Sequence, residues 1–273
     1  MDQWYFHPIL VQIGPIAIHW YGVMYALAFL LGYFYFHKSK QGKSLPLNPD
    51  QKDLFLASVI LAILLGGRIG YILFYNLPYY LANPLKIFAV WEGGMSFHGG
   101  LLAVVVVMLW FSRKYKVRIF EMSDVVCAIA PLGLFFGRIG NFINGELYGR
   151  VATGVSLFGA RLLGAGQLCL YFPSDPSNCR YPSQLFEALF EGLILFVALW
   201  LIRKKFPKPG YVTCAFLFFY GVFRFLIEFF REPDAQIGFL PGGITEGQLL
   251  CFAMIIGSFF VWLFLRRQDK LAK

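Results

Sequence analysis

The sequence predicts an all-α polytopic membrane protein with about seven transmembrane helices and a small extracytoplasmic cap, and three observations carry that expectation. Of its 273 residues 58% are hydrophobic and only 14% charged, which leaves too little polar surface to enclose a soluble core of this size. Apolar stretches near 17–36, 54–75, 95–112, 122–143, 184–202, 210–230 and 247–265 approach or reach the roughly 20 residues that cross a hydrocarbon core. The basic residues gather in every second connection between these stretches.

Taken in order, the N-terminal MDQWYFHPILVQIGPIAIHW has no basic start and is interrupted by Pro8 and Pro15, so the first helix is expected to stay as an anchor and not to be a cleaved signal peptide. Lys38, Lys40, Lys43 and Lys52 follow span one, Arg113, Lys114, Lys116 and Arg118 span three, Arg203, Lys204, Lys205 and Lys208 span five, and Arg266, Arg267, Lys270 and Lys273 span seven. These four groups hold 16 of the 24 Lys and Arg. The positive-inside rule puts them in the cytoplasm, the N-terminus outside and the C-terminus inside. Although the net charge is +9, its scatter between apolar runs argues against a nucleic-acid partner.

The outer connections 76–94 and 144–183 are longer. The second exceeds a plain connector and is expected to fold as a cap within one membrane-embedded domain spanning 1–273. Five cysteines form no CxxC pair or metal-ligand cluster, so no metal site is implied. Cys169 and Cys179 fall in the cap on the oxidising side, flanking LYFPSDPSN, a loop rich in turn formers. A disulfide and two free thiols both fit that spacing. The string GRIG occurs at 67–70 and 137–140, a weak sign of duplication.

Ionisable residues inside a bilayer are costly and are functional candidates by default. Counted outward at 1.5 Å per residue, Arg68, His98, Arg138 and Arg224 each reach roughly 21–23 Å from the inner face, with Asn141, Tyr21 and His19 slightly beyond. Arg138 and Asn141 share one helix face, and Tyr220, Arg224 and Glu228 share another. Each has a plainer alternative: Arg224 with Glu228 as an intrahelical ion pair, Arg68 snorkelling to head groups, His98 as a hydrogen-bond partner, Tyr21 as part of the aromatic belt. Arginines gathered at one depth without matching buried acids would leave excess positive charge, and such a site suits a lipid phosphate. A transporter or a scaffold remains an alternative: the first would show paired acids for ion coupling, and the second needs no converging arginines.

FHGG at 97–100, GRIGNFINGELYGR at 137–150, YPSQLFEA at 181–188 and YGVFRFLIEFFR at 220–231 resemble the motifs of the prolipoprotein diacylglyceryl transferases. HWYG at 19–22 and REPDAQIG at 231–238 fit as well. The resemblance covers roughly residues 15 to 265, with one departure: Tyr181 stands where the family often has His. It implies a bacterial inner-membrane enzyme of lipoprotein biosynthesis. Such an enzyme moves the sn-1,2-diacylglyceryl group of phosphatidylglycerol to the cysteine thiol of a prolipoprotein signal peptide, without cofactor. That chemistry needs a deprotonated thiol and a stabilised leaving phosphate. Arg138 and Arg224 suit the phosphate, because a guanidinium stays charged and binds through two parallel hydrogen bonds. His98 is the proton acceptor in that scheme. Tyr21, Asn141, Tyr220, Glu228 and Arg68 are expected around the lipid head, with Glu146 and Gly149 shaping the turn into the cap.

Overall fold

The computed structural model describes residues 7–89, 93–157, 160–164, 166, 168–232, 240–241 and 243–271. Each of the seven apolar stretches contains a helix. Five helices, Pro49–Tyr75, Phe97–Tyr115, Ile119–Ile143, Ser183–Lys205 and Glu246–Lys270, are long and apolar enough to cross a membrane, and Tyr211–Ile227 is a shorter apolar helix. Trp20–Lys38, the first, has 19 residues. The molecule is a multi-pass helical membrane protein. Its chain divides into two compact units, one of residues 1–39 with 124–273 and one of 40–123.

In the second unit, α3 (Pro49–Tyr75) and α5 (Phe97–Tyr115) pack backbone to backbone. α3 starts at a capping box in which the Asn48 side chain and Gln51 bond reciprocally, satisfying two otherwise orphaned amides. A Cβ on Gly99 would lie 2.3 Å from the Gly66 carbonyl oxygen and one on Gly70 2.7 Å from Gly99 Cα, so only glycine permits this crossing. Between them run α4 (Leu77–Ala82) and a 3-10 turn, Pro84–Phe88.

The first unit begins with a hairpin that the sequence reading did not anticipate. β1 (Ile9–Ile13) and β2 (Ile16–His19) pair antiparallel around Gly14, whose φ is +57°, and lead into α1 (Trp20–Lys38). α6 (Ile119–Ile143), α7 (Ser183–Glu187) continued through a π-helical stretch Ala188–Ile194 into α8 (Leu195–Lys205), α9 (Tyr211–Ile227) and α10 (Glu246–Leu271) make the rest of its helices. Ala128, Leu195, Leu199 and Val212 form a buried core between α6, α8 and α9. Asp124 on α6 caps α9 from outside, accepting from Gly210 N and Thr213 N at 2.7 Å each and from Thr213 Oγ1 at 2.6 Å. A carboxylate there also complements the helix dipole. Gly192 lets the π stretch approach α6, since a Cβ would meet Phe135 Cα at 2.8 Å.

The 144–183 segment contains short paired strands. Strands β3 (Val155–Leu157) and β4 (Ala160–Leu163) pair antiparallel, and β5 (Leu170–Phe172) and β6 (Asp175–Arg180) form a hairpin. Cys169 and Cys179 are disulfide-bonded, their Cα atoms 5.4 Å apart. Within that hairpin Arg180 Nε meets Asp175 Oδ2 at 2.5 Å, and the Arg180 guanidinium holds the Asp175 carboxyl below the usual carboxylate range.

Candidate active site

Four segments of the first unit bring polar side chains together. Glu187 closes α7 and is fully buried. Its Oε2 receives Arg138 Nε of α6 at 2.7 Å and Arg224 Nη1 of α9 at 3.0 Å, and lies 3.5 Å from Arg231 Nη1. One oxygen thus holds three guanidinium groups. Arg224 also pairs with Glu228 Oε2 at 3.1 Å along its own helix and stands 3.6 Å from Glu191 Oε1 in the π stretch. Glu191 is fully buried, and neither of its oxygens has a hydrogen-bond partner among the described residues.

This corrects one expectation. The sequence pointed to arginines without matching buried acids, whereas Arg138, Arg224 and Arg231 face Glu187, Glu191 and Glu228. Burying unpaired guanidinium groups would cost several kcal/mol each, so the acids are a physical requirement of gathering them. What suits a phosphate here is consequently direction more than surplus charge. With Nε on Glu187 and Nη1 donating to Asn141 Oδ1 at 3.3 Å, Arg138 keeps Nη2 without a protein partner among the described residues. Its side chain is 20% exposed and that of Arg224 13%, so both are reachable by a ligand.

The 14-residue block at 137–150 builds the surroundings. Asn141 passes the contact on, Nδ2 donating to Glu146 Oε1 at 2.9 Å, while the Glu146 carbonyl accepts from Gln184 Nε2 at 2.8 Å. Gly140 makes room for Tyr21 of α1: a Cβ would lie 2.8 Å from the tyrosine ring. The Tyr21 hydroxyl is 3.1 Å from that of Tyr25. Gly149 is clamped between two strands of chain, its amide donating to Tyr181 O at 2.8 Å, and a Cβ there would meet Phe230 O at 2.2 Å. Arg150 then reaches over, donating to Arg231 O at 2.6 Å and Glu228 O at 3.2 Å. Glu228 accepts from Thr245 Oγ1 at 3.1 Å, at the start of α10. Tyr220, one turn before Arg224, stacks on Phe216 against the core. Tyr181 is buried under Phe230 with its ring edge-on at 5.5 Å.

The remaining sequence candidates lie in the second unit. Arg68 is buried, and its guanidinium donates to the carbonyls of Lys86, Ile87, Ala89, Gly93 and Gly94, with the Tyr80 ring 5.1 Å away. The two GRIG arginines therefore do different work: Arg68 gathers a loop, Arg138 meets an acid. His98 is the second residue of α5, exposed and edge-on to Phe97 at 5.8 Å, with no side-chain hydrogen bond among the described residues. No group of three His, Cys, Asp or Glu among the described residues is placed to hold a metal ion.

A family model described as prolipoprotein diacylglyceryl transferase matches residues 8–264. The chain belongs to that family. It is 45% identical over 249 residues to the phosphatidylglycerol–prolipoprotein diacylglyceryl transferase of Geobacter sulfurreducens, covering 91% of each chain. To the proteins of the same name from Bordetella avium and Aliivibrio salmonicida it is 47% identical, over 97% of both chains in the first case and 95% of this chain and 88% of the relative in the second. Within the family match, the sequence reading passed over four residues of the site just described. Glu187 and Glu191 stand four apart in an apolar run, a spacing that puts two carboxylates on one face. That signal was present. Arg231 and Arg150 act partly through backbone carbonyls, which no spacing reveals.

Proposed function

We propose that this protein transfers the sn-1,2-diacylglyceryl group of phosphatidylglycerol to the cysteine thiol of a prolipoprotein signal peptide. Sulfur attacks the glycerol carbon bearing the phosphate, a C–S bond forms, the C–O bond to phosphate breaks, and glycerol phosphate leaves. The observation that carries this reading is the set of guanidinium groups aimed by Glu187, which suits the charge that grows on the leaving phosphate. Arg138 and Arg224 bind that phosphate, and Glu187 and Glu228 position them. Asn141, Tyr21 and Tyr220 meet glycerol hydroxyls and ester oxygens, and His98 takes the thiol proton. Glu146 and Gly149 hold the turn into the cap. Arg68, its donors engaged by the outer loop, supports that loop and acts on lipid through it. The paired acids that would favour an ion-coupled transporter are each within reach of an arginine, which argues against carrying a free cation.

Seven crossings of the bacterial inner membrane, an extracytoplasmic N-terminus and a cytoplasmic C-terminus complete the proposal, with 144–183 as a cap on one transferase domain. The purified protein, phosphatidylglycerol labelled in its diacylglyceryl part and a signal peptide containing the acceptor cysteine test it directly. Label appearing in a thioether supports the transferase, and label moving across a vesicle membrane without a thioether overturns it. A cysteine label at position 166, reacting from outside in a spheroplast, checks the orientation separately.

A further inference from the structure

A cavity lies in the first unit, at the opposite end of α9 from Arg224. It is a half-open hollow of about 450 Å³ lined by Lys205, Phe206, Lys208, Tyr211, Trp262, Arg266 and Asp269, together with Pro207. Several contacts join its walls. Phe206 and Tyr211 stack with rings 5.7 Å apart and 11° from parallel, and Tyr211 donates to Asp269 Oδ2 at 3.0 Å while Lys208 pairs with Asp269 Oδ1 at 2.7 Å. Asp269 thereby ties the α8–α9 connection to the last turns of α10. One of the three basic residues is matched in this way. The other two are not: Arg266 lies over the Trp262 ring at 4.8 Å and Lys205 Nζ is 5.6 Å from the Phe206 ring centre, and neither meets a carboxylate among the described residues.

Lys205 and Arg266 are both exposed, and they flank an aromatic-walled hollow with no carboxylate partner among the described residues. Aromatic rings at a helix end sit at head-group depth, and a polybasic pocket there favours anionic lipid head groups. We propose that this cavity is a binding site for a phosphate-bearing anion, with Arg266 and Lys205 on the phosphate and Trp262 and Phe206 against the glycerol or acyl portion. The site is separate from the arginine cluster and goes beyond the proposed transferase activity. It does not depend on that activity or on which face is cytoplasmic.

The test uses full-length protein in nanodiscs of phosphatidylcholine containing a trace of phosphatidic acid with a photoreactive acyl chain, and maps the cross-linked peptides. Adducts are expected in 203–211 and 259–269, displaced by unlabelled phosphatidic acid and not by further phosphatidylcholine. Lys205→Gln with Arg266→Gln should weaken this labelling about tenfold, from loss of two interfacial cations, while adducts elsewhere in the chain and thioether formation stay unchanged. Competition by millimolar inorganic phosphate identifies a soluble phosphate as the natural source, and its absence identifies a lipid. Equal labelling of wild type and the double variant, or equal displacement by phosphatidylcholine, overturns the site and leaves ordinary annular lipid.

Discussion

Replacing Glu187 by Gln keeps the side chain's volume and removes one charge from a point where three guanidinium groups lie within 3.5 Å of a single oxygen. Two unit charges 3 Å apart at an effective dielectric near 20 attract by roughly 5–6 kcal/mol, and deleting one partner of a buried pair costs about 3–5 kcal/mol once relaxation is included. The loss is expected mainly as misdirection, because Arg224 keeps Glu228 and Arg138 keeps Asn141 while their shared anchor goes. Displacing a positioning group by about 1 Å can cost on the order of 10²-fold in rate, so thioether formation should fall by about that factor at equal folded yield. Glu187→Asp, shorter by one methylene, should fall between. Adding Arg231→Gln to Glu187→Gln returns the cluster to two arginines and two glutamates and should recover part of the loss. Radiolabelled phosphatidylglycerol turnover reads all four proteins. A wild-type rate in Glu187→Gln, or effects of Glu187→Gln and Arg138→Gln that simply add, would refute the shared-anchor argument, since contacting residues should couple.

Arg138→Ala and Arg224→Ala should each reduce transfer below a hundredth of wild type in the same assay, with lysine restoring little because it lacks the two-bond fork; full activity of either alanine variant removes the phosphate role. His98→Gln should lose most of its rate below the thiol pKa of about 8.5 and regain it as pH rises and the acceptor thiol ionises unaided, and a flat pH profile at high rate marks His98 as non-catalytic. Cys179→Ser should destabilise the cap by roughly 2–3 kcal/mol by opening a loop of about ten residues. Faster limited proteolysis within 155–180, with turnover retained, is the expected readout.

The helices were legible because an apolar run is a direct consequence of a lipid solvent, and each of the seven runs holds a helix. Arg138 with Asn141 and Arg224 with Glu228 were legible for a related reason, since helix periodicity fixes which side chains meet. The structure contains both contacts. What stayed hidden depended on the third dimension. Glu187 lies inside a motif recognised for its pattern, yet its role exists only because α6, α7 and α9 converge. The five carbonyls around Arg68 come from a loop, and a backbone acceptor carries no residue type by which to find it. The N-terminal hairpin was concealed by its two prolines, which read as interruptions although Pro15 sits beside a glycine turn.

The π-helical stretch at Ala188–Ile194 sets the phase of a whole transmembrane segment. Each α-helical residue advances about 100° around the axis, whereas a π turn takes in an extra residue for nearly the same rotation. Glu187 on one side of the stretch faces the arginines, and Leu195 and Leu199 on the other face the core. Those two orientations are set independently by the intervening coil. Removing a single residue between 188 and 194 would yield a regular α-helix with its two ends still in nearly the same phase, whereas removing a second would rotate them out of step by about 100°. Either the carboxylate or the leucines would then turn outward to lipid. Length variation along this segment is therefore constrained more tightly than its apolar composition suggests.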